Sequence, residues 1–237
     1  MKHGICKLCL EDKQLIHSHV FSEFLYEPTY DETHRYISVS SHPLHRDRLF
    51  EKGLREYLLC SSCDGQIGKY ESYAAKILRE AAECSTFING AIEISDFNYP
   101  LFKLFGLSLI WRCHVSSLHM FGGVNLGTHA EKIRAMLLSE DPGTSSKYCF
   151  VLIKIVGAKS ANTVIHAPTR TRFGDHNGYV FLAYGIEWVF IVSSHSHKLP
   201  HEYPFVGTRR QLVIPVMKQS EKEFLREVRR RFSKLGE

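Results

Sequence analysis

Downstream of residue 64 the spacing of apolar positions switches from helical to strand periodicity. Ile67, Tyr70, Ala74, Ile77, Leu78 and Ala81 recur every three or four residues. One buried helical face has this spacing, and it predicts a helix over about residues 64–84. Residues 101–117 are so strongly apolar that they predict a buried helix, with Trp111 in the core and Arg112 at its rim. Residues 130–139 predict a third helix, ended by Asp141-Pro142-Gly143. Five β-branched and aromatic runs follow, and they predict strands at 148–156, 162–167, 178–184, 187–193 and 211–216. Gly185-Ile186 falls between two of them as a hairpin turn. Ser220 and Glu223 form a capping box that opens a last helix, with Phe224, Val228 and Phe232 on one face. Its Arg226, Arg229, Arg230 and Lys234 are interleaved with Glu221, Glu223 and Glu227, the pattern of a packed surface helix rather than a nucleic-acid-binding one.

The first 60 residues are less regular. Residues 5–15 read as a metal knuckle closed by a hairpin. Ser22 is placed as the N-cap of a short helix, with Glu23 in its first turn. Residues 27–50 are polar and rich in Tyr, His and Arg, which predicts a loop with one short strand at 36–39. Residues 53–59 lead into a second cysteine pair. The fold class is therefore α+β: an N-terminal module over residues 1–95, then a helical and largely antiparallel-sheet region over 96–237.

Composition adds limits. The chain has 237 residues, 44% hydrophobic and 23% charged, with a formal net charge of +5. This suits a globular chain with a sizeable core, and the mild basicity permits a nucleic-acid partner without requiring one. The longest apolar run is too short to cross a bilayer and is punctuated by Lys103 and Arg112. Seven cysteines, an odd number, and no secretory signal argue against a disulfide framework and for a reducing cytoplasm. Cys84, Cys113 and Cys149 sit in apolar contexts and read as small buried hydrophobes.

The strongest chemical signal is the pair of Cys-x-x-Cys motifs, Cys6/Cys9 and Cys60/Cys63. Each such turn presents two sulfurs to one ion, and two turns complete the tetrahedral thiolate set of a structural zinc site. A closed four-cysteine site has no open coordination position. Any catalysis must come from groups beside it, and His19, Asp64 and Glu71 are the candidates.

The order Cys6-x-x-Cys9, His19-Val20, Leu59-Cys60-x-x-Cys63 resembles the HNH endonucleases of the ββα-metal type, over about residues 5–72. The resemblance implies a zinc-stabilised ββα module that hydrolyses phosphodiester bonds in DNA or RNA. It implies His19 as general base and a divalent ion, Mg²⁺ or Mn²⁺, held near Asp64. Three residues differ from those common in the family. Ser18 precedes the histidine in place of Asp. Arg55 stands before the third cysteine in place of Asn. Asp64 follows the fourth cysteine in place of His or Asn. Asp is itself a hard oxygen ligand. Glu71 lies two helical turns beyond it on the same side, as a candidate replacement ligand. The segment from Leu15 to Tyr26 is also similar to that of a bacterial group with a Ser-His-Ile-Ile-Pro-x-Phe signature, which carries no functional implication of its own.

Each of these residues has a plainer reading. His19 can be a hydrogen-bonded structural residue, with His17 as its local competitor. Asp64 can be a helix N-cap, and Glu71 a solvated glutamate. Arg46, Arg48, Lys52 and Arg55 can meet phosphates or form a solvated charged face. His166, His176, His195, His197 and His201 show no ligand spacing. The alternative function is a non-catalytic zinc scaffold that binds nucleic acid or protein. A homo-oligomer or a partner protein is left open.

Overall fold

The computed structural model describes residues 2–38, 48–173, 175–193, 205–224 and 226. The elements run in the order β1 (Lys2–Ile5), β2 (Asp12–His19), β3 (Arg35–Ser38), β4 (Arg48–Glu51), β5 (Arg55–Cys60), α1 (Ser61–Glu83), β6 (Ala91–Ser95), α2 (Tyr99–Val115) and α3 (His129–Leu138). Then come β7 (Phe150–Val156), the single turn α4 (Ser160–Thr163), β8 (His166–Phe173), β9 (His176–Ala183), β10 (Ile186–Ile191) and β11 (Gln211–Lys218). The α+β class holds. Strands β1-β2-β5 form one sheet, β3-β4 a small ribbon, and β6-β11-β7-β10-β9-β8 the main sheet. All pairings are antiparallel except β11 with β7.

Helix α1 begins at Ser61, three residues before the expected start, because extended Cys60 serves as its N-cap. Helix α2 is capped by Asn98, whose side chain accepts from the Leu101 N–H at 3.2 Å. Apolar on all sides, α2 is buried nearly throughout. One contiguous cluster of buried side chains takes Leu15, Val20 and Tyr26 from the N-terminal stretch, Ile67 and Tyr70 from α1, Phe105 and Trp111 from α2, and Phe150 and Trp188 from the main sheet. The boundary expected near residue 95 falls at the end of β6, itself a strand of the main sheet, and the cluster has members on both sides of it.

Several expectations are corrected. Of the strand expected over residues 162–167, only His166 and Ala167 are extended, as the start of β8. Ser160–Thr163 is a helical turn whose Ser160 N–H and hydroxyl are taken by the Glu221 carboxylate, and the strand starts at His166. β8 is an edge strand, and its pairing with β9 shifts register between His166 and Thr169, where Pro168 sits. The hairpin turn between β9 and β10 is Tyr184-Gly185, with φ of 59° and 68°, and Ile186 already belongs to β10. Two consecutive left-handed residues match the twist of the flanking strands. Ser22 stands at the N-cap position of the single 3₁₀ turn Glu23–Leu25, with Glu23 in that turn as expected, but its hydroxyl makes no cap bond and is used elsewhere. Arg112 is not at the rim of the core but inside it, 2% exposed. Cys113 and Cys149 are buried, whereas Cys84 is half-buried with its thiol toward the Thr86 carbonyl. The capping box forms, with the Ser220 N–H and hydroxyl both reaching Glu223 at 2.9 and 2.6 Å. Phe224 is buried. Val39, Arg46, His195, His197, His201, Glu227, Val228, Arg229, Arg230, Phe232 and Lys234 lie outside the described residues, as does the side chain of Arg48.

Gly106 sets how closely α2 can approach the main sheet. A Cβ there would meet the Phe150 ring at 2.5 Å. That ring is held among Phe102, Trp188 and Phe190 at centroid distances of 6.2, 5.7 and 5.2 Å, so it cannot swing aside. Alanine normally gains roughly 1 kcal/mol over glycine inside a helix, while overpacking a closed core costs about 1–3 kcal/mol. Gly106→Ala is therefore expected to destabilise the protein, by about 1 kcal/mol in urea unfolding. A stabilised variant would contradict this packing.

Candidate metal centre and active site

The four cysteines converge from two tight structures. Cys6 and Cys9 lie in the turn between β1 and β2, closed by the Cys6 N–H on the Glu11 carbonyl (3.0 Å) and the Leu10 N–H on the Cys6 carbonyl (2.9 Å). Leu10 has φ of 63°, the left-handed residue that reverses the chain. Cys60 ends β5 and Cys63 lies in the first turn of α1. The Lys7 N–H donates to the Leu58 carbonyl at 2.9 Å, which fixes one half against the other.

The sulfurs all lie within 4.8 Å of one another, with Cys9 and Cys60 Sγ 4.0 Å apart. A tetrahedral zinc with Zn–S of about 2.3 Å places its sulfurs about 3.8 Å apart, whereas a disulfide needs about 2 Å. The spacing fits a shared ion, and all four are free thiols. The surroundings fit too. The Cys60 N–H donates to Cys6 Sγ at 3.4 Å. From α3, Arg134 donates to the Leu8 carbonyl at 2.5 Å, bringing a cation beside a cluster that is anionic when ionised. Burial opposes ionisation of Cys60, yet the Ser62 hydroxyl, the Cys63 N–H and the neighbouring thiols bring it down to about 6. Burial pushes Cys63 up, and its neighbours push it further. Crowded thiols cannot all ionise unaided, and a divalent cation resolves the conflict.

The second cluster lies at the other end of the same two strands. The β2–β5 register sets Leu15 opposite Cys60 and His19 opposite Arg55. At about 3.3 Å per residue, His19 is about 13 Å along the strand from the cysteines. A register shift between Ile16 and His17 precedes both histidines, which then pair in continuous register with Tyr57 and Arg55. His17 stacks on Tyr57 at 4.9 Å, while His19 is half-buried with 19% of its side chain exposed.

His19 Nε2 has two neighbours of opposite charge. Arg55 Nε donates to it at 2.8 Å, and Glu23 Oε2 is in direct contact with it. Glu23 is held in turn. Its Oε1 accepts from the Tyr30 hydroxyl at 2.6 Å, and its Oε2 accepts from the Gly53 N–H at 3.3 Å and from Arg55 Nη2 at 3.4 Å. Gly53 is required there, since a Cβ would meet the Tyr26 ring at 2.6 Å and the His19 ring at 3.2 Å. Burial lowers the His19 pKa below its ordinary 6.5, and Arg55 lowers it further, against the opposing pull of Glu23 and Glu71.

Beneath His19, Arg112 reaches up from α2. It donates to the His19 carbonyl at 2.8 Å and to the Ser22 hydroxyl at 3.1 Å, and it pairs with Glu71 at 2.7 Å. The Ser22 hydroxyl donates to the same Glu71 oxygen at 2.5 Å. Glu71 is thus brought to the His19 segment, but as the partner of a buried guanidinium. Asp64 is half-buried in the first turn of α1, one residue after Cys63. Among the described residues, the cysteines are the one group of three or more His, Cys, Asp or Glu side chains gathered closely enough to hold an ion; Asp64, Glu71 and His19 do not form another. Lys52 is exposed on the turn before β5. Sequence pattern does not single out Glu23 or Tyr30 as partners of the histidine, nor the inward role of Arg112. Only Arg112 carries a signal, a cation in the middle of an apolar helix, which must find buried partners.

No family model, curated protein or solved structure matches this chain.

Two outcomes are expected. The purified protein should carry one tightly held zinc by elemental analysis, and Cys63→Ser should lose it and melt at a lower temperature; full metal-free stability would contradict the site. In an NMR titration, His19 should stay neutral to a pH below 6.5. Removing the Arg55 cation with Arg55→Gln should move its titration upward.

Proposed function

We propose that this chain is a zinc-stabilised, HNH-like hydrolase of phosphodiester bonds in DNA or RNA, with His19 as general base. The observation that carries the reading is a half-buried imidazole at the end of one strand of an antiparallel pair. The cysteine cluster anchors the other end of the pair, and the pair runs directly into a long helix. Burial keeps the ring neutral near neutral pH, the form a base needs. Glu23 orients the ring as a carboxylate partner. Arg55, 30% exposed, is the cation beside the ring that can meet a phosphate oxygen. In the reaction, water attacks phosphorus as its proton passes to the imidazole, and the leaving oxygen is released as the P–O bond breaks.

A divalent ion, when bound, would supply Lewis-acid stabilisation of the scissile phosphate. The residues expected to hold it do not fit that role well. The Glu71 oxygen already receives Arg112 and Ser22, and Asp64 is not gathered with His19.

One observation favours the second reading, a non-catalytic zinc scaffold that binds nucleic acid or protein: Arg55 occupies the His19 lone pair that a base must keep open. Incubation with plasmid and single-stranded RNA, with and without Mg²⁺ or Mn²⁺, separates the two. The nuclease reading predicts cleavage that falls by roughly 10²–10⁴-fold in His19→Ala, the usual worth of a general base. Equal cleavage by both proteins contradicts it. Retarded migration of nucleic acid with no cleavage under any condition supports the scaffold.

A further inference from the structure

His19 Nε2 carries a chemical contradiction. A neutral imidazole has one N–H and one lone pair, on different nitrogens. If Nε2 bears the lone pair, it accepts from Arg55 Nε at 2.8 Å but faces the Glu23 carboxylate oxygen, lone pair against lone pair. If Nε2 bears the proton, it donates to Glu23 but faces the Arg55 N–H. The ring cannot satisfy both neighbours at once. Neither neighbour is loosely placed. Glu23 is fixed by Tyr30 and the Gly53 N–H, and Arg55 sits opposite His19 in the strand register. The His19 backbone is itself held from below by Arg112, which donates to its carbonyl.

We infer that Arg55 and Glu23 are opposed positioning residues for His19, and that a phosphate oxyanion on Arg55 decides between them. This rests on the hydrolase reading only for the purpose it gives the device. Without an anion, Arg55 donates to Nε2, the ring proton sits on Nδ1, and the imidazole has no free basic nitrogen. Glu23 is then satisfied by Tyr30, Gly53 and Arg55 Nη2. A guanidinium prefers a phosphate to a neutral imidazole, because a charged acceptor makes the stronger, forked hydrogen bond. Once Arg55 turns to the phosphate, Nε2 is free to bear the proton and donate it to Glu23. The change moves one proton from Nδ1 to Nε2 through solvent, with no net uptake. It leaves the Nδ1 lone pair open as the base, formed only when a phosphate is present. Arg55 then serves as both anion sensor and restraint, and Glu23 as the acceptor that holds the competent tautomer.

The test uses the zinc-loaded full chain labelled with ¹⁵N-histidine at neutral pH. His19 is assigned among the 14 histidines by comparison with His19→Gln. Inorganic phosphate is the probe, with chloride at matched ionic strength as the control. The expected result is an Nε2 resonance typical of an unprotonated ring nitrogen, moving toward that of a protonated one as phosphate is added, with Nδ1 moving the opposite way. Arg55→Gln should show the second pattern without phosphate. Arg55→Lys should restore the first pattern and its response. Glu23→Gln should lose the response. Protonated Nε2 in the free protein, or no movement with phosphate, overturns the inference. The titration is made on the unmodified chain, so its outcome does not depend on a variant folding. A tautomer response without cleavage of nucleic acid overturns the hydrolase reading alone. Cleavage that depends on His19 without a tautomer response overturns this inference alone.

Discussion

The buried guanidinium of Arg112 is the interaction on which the histidine site depends. Leaving water costs a charge several kcal/mol unless it is paired and fully hydrogen-bonded. Arg112 meets that condition with the Glu71 carboxylate, the His19 carbonyl, the Ser22 hydroxyl and the Ser108 carbonyl, all within 3.3 Å. These partners come from α1, from the end of β2 and the turn after it, and from α2 itself. One side chain from the second half of the α+β core thus sets the position of the candidate base near the N-terminus. A zinc module that folded by itself would not need this. The continuous core across residue 95 has the same meaning: the cysteine cluster, the His19 cluster and the main sheet belong to one packed structure.

Strand β2 is therefore held at both ends by different physics. Near Leu15 the constraint is the cysteine cluster, whose sulfur spacing suits a tetrahedral ion. Near His19 it is a charge network of Glu23, Arg55, Glu71 and Arg112. The two ends also differ in how firmly they are fixed. Thiolates around an ion form a closed structural unit. The His19 cluster is partly exposed, and its central atom lies between an anion and a cation that cannot both be satisfied. Rigidity at one end and an unresolved hydrogen bond at the other is an arrangement suited to binding a charged group.

Much of the local structure was legible in the sequence, because it rests on local signals. Apolar spacing locates α1, α2 and α3 to within a few residues, turn residues locate the β9–β10 hairpin, and Ser220 with Glu223 marks the last cap. Ligand chemistry alone picks out Cys6, Cys9, Cys60 and Cys63. The misses share a cause: they depend on partners far away in the chain. Ser22 does stand at the cap position, but its hydroxyl turns to Glu71 and Arg112, 49 and 90 residues away. Asn162 and Thr163 read as the start of a strand because Glu221, which satisfies the first N–H of the turn Ser160–Thr163 that holds them, is 61 residues away. Arg55 reads as one member of a charged face, since nothing in the sequence pairs it with His19 before β2 and β5 are aligned.

Arg112 and Glu71 should behave as one coupled unit beneath His19. The most direct test is a double-mutant cycle on urea unfolding of the zinc-loaded protein, using Arg112→Met, Glu71→Gln and the pair. Directly interacting groups couple by about 0.5–3 kcal/mol, and independent ones add to within about 0.5 kcal/mol. Arg112→Met alone is expected to be strongly destabilising, because it leaves the Glu71 carboxylate without its cation and removes the donor to the His19 carbonyl. The double variant should be more stable than the sum of the singles by well over ~1 kcal/mol. Additive losses would contradict the coupling.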